Sequence, residues 1–167
     1  MFKLLIMVLC LALLAMINTT SCSIQTVDTS FGKIHLDVPN NYVFKDPNSK
    51  GNTFSLVKSG SEKPIICGVL DSTDIWGTDL VKYAADHFGE GKPYSEVQTN
   101  DGHRMLFYAY NNYGGDISYF NGIIDYTEDK GLIVMVFGRS ETVVYGQPLV
   151  TFSKDEFLAI CKSFAFE

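Results

Sequence analysis

Three histidines are the residues of this chain best suited to acid–base or metal chemistry. His35, His87 and His103 do not follow a metal-ligand spacing such as His-x-x-x-His, and no pair of cysteines lies near any of them. The sequence also lacks the Gly-x-Ser-x-Gly pattern that presents a nucleophilic serine. We therefore predict no catalytic residue and no metal ligand, and we interpret the three histidines as surface residues.

The other polar motifs favour structural roles over cofactor binding. The glycine-rich segment at residues 89–93 follows a predicted helix, whereas a phosphate-binding loop comes before one. The carboxylates of Asp125, Glu128 and Asp129 lie in a predicted turn without the loop pattern of an EF-hand. We therefore predict that the protein binds no cofactor.

The composition of the chain excludes some classes of function. Its 167 residues include 19 acidic and 13 basic side chains, which gives a net charge of −6. A protein that binds a phosphate backbone needs a basic surface, so we predict no nucleic-acid partner. A hydrophobic fraction of 46% is enough for a folded core and excludes a disordered chain.

Aromatic residues are concentrated around one predicted turn, at residues 111–116. Tyrosine is favoured at binding surfaces, where one end of the side chain is buried and the other is wet. It also has a high propensity for strands, and we expect most of these rings to pack in the core. Tyr110 and Tyr113 are the two that we predict to be exposed and to contact a protein partner.

The first 21 residues have the pattern of an export signal. They carry one charge, Lys3, followed by an uncharged run of 14 residues that ends at Ile17. This run is shorter than the roughly 20 apolar residues that a transmembrane helix needs, and polar residues follow it directly. A positive start, a short apolar stretch and small residues at the exit predict a secretory signal peptide at residues 1–21.

The cysteine that follows this signal predicts a lipid anchor. Thr19-Thr20-Ser21-Cys22 resembles a relaxed lipobox, in which Cys22 becomes the lipidated first residue of the mature chain. Several acyl chains on one residue give stable anchoring, because each buried methylene contributes about 0.8 kcal/mol. The alternatives are ordinary secretion with an unmodified thiol and an uncleaved anchor. We predict a protein held at the cell membrane or outer envelope by lipid, or secreted if Cys22 is unmodified.

Two further cysteines leave a choice between a disulfide and separate thiols. Cys67 lies in a predicted buried strand, and Cys161 lies on the apolar face of the predicted last helix. A bridge between them would stabilise the fold by about 4–5 kcal/mol in the chain-entropy model. Buried thiols also behave as small hydrophobic side chains, and we favour two unpaired cysteines.

Residues 31–167 are predicted to form one domain, preceded by a polar tether at residues 22–30. Alternation and apolar runs predict strands at residues 31–38, 53–58, 64–70, 95–99, 103–110, 117–126 and 132–137. Asp101-Gly102 predicts a hairpin turn between the fourth and fifth of these strands, because such turns require a positive φ.

Two helices complete the predicted fold. One is predicted at residues 75–88 with its cap among residues 72–74, and the other follows the capping box formed by Ser153 and Glu156. The strands at residues 117–126 and 132–137 are apolar on both faces, so both faces of the sheet must be covered. We therefore predict an α+β fold, an α/β/α sandwich with a mainly antiparallel sheet of about six strands.

The two ends of this domain carry a family resemblance. Residues 31–42, FGKIHLDVPNNY, resemble the first strand and the following corner of PsbP-like and DcrB-like proteins. Residues 157–166, FLAICKSFAF, look like their terminal helix and tail, and the order of elements is similar over nearly the whole domain. Members are typically non-enzymatic accessory or assembly factors, so the resemblance implies binding and supplies no catalytic residues.

Two functions from different classes follow from the sequence. We predict a non-catalytic, envelope-associated accessory or assembly protein, a small lipoprotein that binds the membrane through its anchor and an envelope protein through its domain. The alternative is an extracytoplasmic hydrolase or metal-dependent enzyme whose site is assembled only in the fold. A deep pocket that joins His35 or His103 to carboxylates would favour the enzyme.

Overall fold

A computed structural model describes residues 22–45, 51–61, 66–72, 79–111, 117–141, 143–144, 147–148 and 151–167. The predicted signal segment at residues 1–21 lies outside these ranges. The elements in chain order are β1 (Cys22–Thr29), β2 (Gly32–Pro39), β3 (Tyr42–Lys45), β4 (Thr53–Lys58), β5 (Ile66–Ser72), α1 (Leu80–Phe88), β6 (Ser95–Gln98), β7 (Arg104–Asn111), β8 (Ile117–Tyr126), α2 (Thr127–Lys130), β9 (Leu132–Glu141), β10 (Val143–Val144), β11 (Gln147–Pro148), α3 (Lys154–Lys162) and β12 (Ala165–Phe166).

A seven-stranded antiparallel sheet is the centre of the fold, with the strand order β3-β4-β5-β9-β8-β7-β6. Four of its strands, β6, β7, β8 and β9, are adjacent in the sheet in the order in which they follow along the chain, and they form a meander. The predicted turn between β6 and β7 is confirmed, because Gly102 there has a φ of +96° and the Thr99 backbone N–H donates to the His103 carbonyl oxygen. Strand β8 has the bounds that its sequence pattern predicts.

A smaller sheet of three antiparallel strands, in the order β1-β2-β12, packs on one face of the large sheet. Ile34, Leu36 and Val38 of β2 point into the main core, and each is at most 1% exposed. Helix α3 contributes Phe157 and Ile160 to the same core. This face of the large sheet is therefore covered by strands and a helix together.

Helix α1 packs on part of the opposite face of the large sheet. Leu80, Tyr83, Ala84 and Phe88 form the apolar side of this helix and pack on aliphatic and aromatic residues of β7, β8 and β9. Asp79 caps the helix by accepting hydrogen bonds from the N–H groups of Val81 and Lys82. The sequence predicts the cap among residues 72–74 instead; Ser72 is the last residue of β5, and residues 73–74 lie outside the described residues.

The predicted α/β/α sandwich is wrong, because the protein is mostly β. The helices within the described residues are short, with nine, four and nine residues, and the second sheet shares one face of the large sheet with α3. Because both faces of β8 and β9 are apolar, each face must pack against another part of the protein. The pattern does not distinguish between a helix and a second sheet as that part. Residues 22–29, predicted as a tether, instead pair with β2 along its whole length and draw it into the second sheet.

The last helix begins as its sequence predicts. Ser153 Oγ accepts from the Glu156 backbone N–H at 3.0 Å, and the Glu156 carboxylate accepts from the Ser153 N–H at 3.4 Å. This capping box satisfies two backbone donors that the first turn of a helix leaves unpaired. No helix within the described ranges combines the length and the apolar character needed to cross a membrane.

Candidate functional site

The large sheet is longer than the helix that covers it. Strands β8 and β9 have ten residues each and span about 33 Å, whereas the nine residues of α1 span about 13 Å. Helix α1 therefore covers only part of this sheet face. A pocket of about 410 Å³ lies beyond its C-terminal end, on the same face of β5, β7, β8 and β9.

Strand register explains which side chains line this pocket. Residues two apart in a strand share a face, so the face that α1 covers continues from Tyr108 to Tyr110 in β7 and from Ile123 to Asn121 and Tyr119 in β8. The described lining residues are Cys67, His87, Phe88, Lys92, Tyr110, Tyr119, Asn121, Phe137, Gly138 and Arg139. The face thus changes from aliphatic residues under the helix to tyrosine, amide and cationic residues beyond it.

Two tyrosines form one side of the pocket. Tyr110 and Tyr119 lie directly opposite each other in the β7–β8 ladder, and their rings stack with centroids 5.2 Å apart and 17° between their planes. The Lys92 ammonium lies 4.2 Å from the centre of the Tyr110 ring, within the range of a cation–π contact. Buried Asn121 donates from Nδ2 to the Tyr110 hydroxyl oxygen at 3.3 Å. These contacts hold Tyr110 in a fixed position.

The C-terminal end of α1 forms another side. The Phe88 ring meets Tyr108 and Phe137 edge-on, at centroid distances of 5.2 and 5.7 Å. The preceding residue is His87, whose Nδ1 lies 2.8 Å from the carbonyl oxygen of Tyr83, one helical turn earlier. The apolar wall of the pocket is therefore anchored in the same cluster that attaches α1 to the sheet.

The pocket carries positive charge in an acidic protein. The cationic side chains of Lys92 and Arg139 line it, whereas none of its described lining residues is a carboxylate. Two other described cations are paired with carboxylates: Lys58 lies 3.1 Å from Glu156, and Arg104 lies 2.6 Å from Glu96. Within the described part of the chain, the Lys92 ammonium contacts the Tyr110 ring and pairs with no carboxylate. The pocket can therefore attract an anionic group.

Cys67 contributes a thiol to the pocket wall. Its side chain is exposed on β5, yet partial desolvation raises the pKa of the thiol above its ordinary value. Because the thiolate is the nucleophilic form, a raised pKa makes Cys67 a poor nucleophile at neutral pH. The thiol therefore forms part of the wall and lacks the lowered pKa that is typical of a catalytic cysteine.

The two remaining histidines lie away from this pocket, and each has local partners. His103 Nδ1 lies 2.9 Å from the Asp125 carbonyl oxygen, and its Nε2 lies 3.1 Å from an Asp129 carboxylate oxygen. His35 Nε2 lies 3.2 Å from a Glu167 carboxylate oxygen on the three-stranded sheet. Among the described residues, no group of three His, Cys, Asp or Glu side chains is arranged to hold a metal ion.

The residues singled out from the sequence are separated in the fold. Tyr110 is half-buried in the pocket, whereas Tyr113 lies outside the described residues. Cys22 is exposed at the start of β1, beside a cleft of about 620 Å³ that Glu156 also lines. Cys67 and Cys161 lie on opposite faces of the large sheet, and neither is in a disulfide.

No protein-family model and no curated protein matches the chain.

Sequence reasoning identified Tyr110 but missed Lys92, Asn121 and Arg139. These three residues belong to a loop and two strands that are far apart in the chain, so no local motif joins them. A signal was nevertheless present, because alternate residues in β8 and β9 change from Ile123 to Asn121 and from Phe137 to Arg139 on one face. A strand face that is apolar along most of its length and polar at one end indicates that the element packed on it does not extend over that end.

Proposed function

We propose that this chain is an exported, lipid-anchored protein that binds a partner protein of the envelope and catalyses no reaction. The observation that carries the proposal is the pocket beyond α1. It combines the stacked rings of Tyr110 and Tyr119 with the cations Lys92 and Arg139. Tyrosine and arginine are enriched among the residues that dominate binding energy at protein interfaces.

The chemistry of the pocket supports binding over catalysis. A general base or nucleophile needs a second group within hydrogen-bond reach to activate it. His87 Nδ1 is already engaged with the Tyr83 carbonyl oxygen, and burial keeps the Cys67 thiol protonated by raising its pKa. Both His103 and His35 face carboxylates elsewhere on the molecule, away from the pocket. The resemblance to PsbP-like and DcrB-like accessory proteins supports the same function.

A partner-capture experiment tests the proposal. The full chain is cross-linked in membranes, and the yield of cross-linked partner is compared between the wild type and Tyr110→Ala. We expect the substitution to weaken capture about tenfold, because truncating an interface hot spot costs roughly 1–2 kcal/mol or more. Tyr94→Ala is the matched control, since Tyr94 is 41% exposed and does not line the pocket.

Two results would contradict the proposed binding role. The first is an equal yield of the same partners from the wild type and from Tyr110→Ala, which would remove the pocket from the interface. The second is turnover of a substrate that is lost when His35, His87 or His103 is replaced, which would identify an enzyme.

The anchor is tested through Cys22. If Cys22 is lipidated, the wild-type protein separates into the detergent phase with the membrane fraction. Cys22→Ala should shift it to the aqueous phase, because several buried acyl chains are lost. Cys67→Ala is the control for a general effect of removing an exposed cysteine. Equal release of the wild type and Cys22→Ala into the medium would show that Cys22 carries no anchor.

A further inference from the structure

We propose that the outward face of the three-stranded sheet, the face turned away from the main core, lies on the membrane that holds the Cys22 anchor, with the Ile24 side chain among the lipid headgroups. This inference rests on the proposed lipid anchor and adds the orientation of the domain. It follows from the position of Cys22 in a strand, the direction of the Ile24 side chain, and the polarity of the cleft beside Cys22.

The proposed anchor site is itself part of the sheet. Cys22 is the first residue of β1 and lies opposite Pro39 in the ladder with β2. A lipid on its sulfur is therefore attached to the sheet with no flexible segment between them. The headgroup layer on each side of a bilayer is about 5–7 Å thick, because the bilayer measures roughly 40–45 Å and its hydrocarbon core about 30 Å. Acyl chains in the hydrocarbon thus hold the Cys22 backbone at the headgroup layer.

The Ile24 side chain points in the same direction as the Cys22 side chain. Residues two apart in a strand project from one face, at a separation of about 7 Å. This face is the outward one, because Ile24 pairs with exposed Asp37, whereas Ser23 pairs with Val38 of the main core. Ile24 is 71% exposed. A single exposed isoleucine is common on protein surfaces, but a lipid on the sulfur two residues away turns this one toward the membrane.

The cleft beside Cys22 is too polar to take up the acyl chains. Its described lining includes the carboxylates of Asp37 and Glu156 and the amides of Asn41 and Asn100. An acyl chain bound there would remove these groups from water without giving them new hydrogen bonds, which is unfavourable. The chains therefore enter the bilayer and bring the outward face of β1 onto the lipid surface.

The charges of this face suit a lipid surface without net charge. Asp28 lies opposite Lys33 in the ladder, and His35 Nε2 lies 3.2 Å from a Glu167 carboxylate oxygen. Asp37 adds a carboxylate, and an anionic lipid surface would repel it. A zwitterionic lipid avoids this repulsion, so phosphatidylcholine vesicles are the appropriate probe.

The opposite side of the molecule supplies a control position. The three-stranded sheet and α1 pack on opposite faces of the large sheet. Val43 of β3 points to the side of α1, because Tyr42 and Phe44 on either side of it pack in the main core. Like Ile24, it is an exposed β-branched residue, with 56% of its surface accessible. In the proposed orientation, Val43 and the pocket beyond α1 face away from the membrane, and the pocket stays open to a partner.

Fluorescent labels at the two positions test this orientation. Ile24→Cys and Val43→Cys are each introduced into the full chain together with Cys67→Ser, which removes an exposed thiol outside the anchor. The protein is extracted from membranes, labelled with a nitrobenzoxadiazole maleimide, and reconstituted into phosphatidylcholine vesicles with or without lipid that carries a nitroxide near its headgroup. Cys161 is fully buried and stays unlabelled in the folded protein.

We expect the nitroxide lipid to quench the label at position 24 about twofold and to leave the label at position 43 unchanged, because two packed sheets place it about 10 Å farther from the lipid. Flotation of the vesicles measures the anchor separately. Quenching at position 24 no greater than at position 43, in protein that floats with the vesicles, would overturn the inference and leave the anchor in place. Protein that does not float with the vesicles would contradict both the anchor and the orientation.

Discussion

Gly68 allows an aromatic ring to lie directly on the backbone of β5. It is opposite Phe54 in the β4–β5 ladder, and a methyl group at position 68 would overlap the Phe54 ring. That ring is 3% exposed and contacts Phe44 and Phe164, at centroid distances of 5.7 and 5.4 Å. A glycine at this position therefore makes room for part of the core.

The first prediction concerns this contact. Gly68→Ala should lower the free energy of unfolding by about 1–3 kcal/mol, because the Phe54 ring must leave its position in a packed core. The measurement is urea unfolding followed by circular dichroism. Gly122→Ala is the matched control in another strand, and it should cost less because the nearest atom to its added methyl is the Cys161 sulfur at 3.3 Å.

A second substitution separates overlap from a backbone effect. In the Gly68→Ala background, Phe54→Leu should recover part of the lost stability, because the smaller side chain leaves room for the methyl group. The two substitutions are then non-additive, as expected for residues in contact. Full stability of Gly68→Ala alone would show that the ring does not depend on this glycine.

At the scale of single elements, Glu156 links the start of α3 to β4. Its carboxylate completes the capping box with Ser153, and both of its oxygens lie 3.1 Å from the Lys58 ammonium. Lys58 also donates to the Thr151 carbonyl oxygen at 2.8 Å. The side chains of Lys58 and Glu156 are only 15% and 23% exposed, so solvent screens this pair less than a surface pair.

The second prediction ranks three substitutions at this helix start by the stability they remove. Ser153→Ala should cost about 1 kcal/mol, because one N-cap acceptor is lost. Glu156→Ala should cost more, since it also leaves the largely buried Lys58 charge unpaired. Asp155→Ala, on the exposed side of the first turn, should cost only about 0.3–1 kcal/mol. Urea midpoints check this order, and a Glu156→Ala cost no larger than that of Ser153→Ala would contradict it.

Elements that depend on interactions between residues close in the chain could be predicted from the sequence. Elements that depend on pairing with a distant segment could not. The capping box and the Asp101-Gly102 turn act over a few residues, and both predictions are confirmed. Strand β1 exists because it pairs with β2, and its own segment is too polar to suggest a strand. The site divides in the same way: Tyr110 follows from a local concentration of tyrosines, whereas Lys92 and Arg139 meet it only through the register of the sheet.

At the scale of the whole molecule, the two faces of the large sheet have different roles. The face covered by β2 and α3 contains most of the core and the fully buried Cys161. The face covered by α1 contains a smaller cluster and, beyond the helix, the pocket. A short helix on long strands thus provides both a folded core and an open site. Stability and binding are therefore separable, and pocket substitutions such as Lys92→Gln should leave the main core unchanged.

The third prediction follows from the cysteine thiol and the tyrosine hydroxyls that the fold buries. Burial raises the pKa of the Cys161 thiol and of the Tyr42, Tyr83 and Tyr126 hydroxyls above their ordinary values of 9.0 and 10.0. As the pH rises above about 9, the unfolded chain loses these protons while the folded protein keeps them. Deprotonation therefore favours the unfolded state, and stability falls with rising pH.

This loss should be measurable as an alkaline decline in the urea midpoint. Below about pH 9 these groups are protonated in both states and do not change the free energy of unfolding. Above it, the free energy of unfolding should fall by about 1.4 kcal/mol per pH unit for each group that ionises only in the unfolded chain. Cys161→Ala should make the decline between pH 9 and 10 shallower, although it lowers stability at every pH by leaving a cavity. Cys67→Ala, which removes an exposed thiol on the other face, should change this slope less. A midpoint that stays constant up to pH 11 would show that these groups ionise as readily in the folded protein as in the unfolded chain.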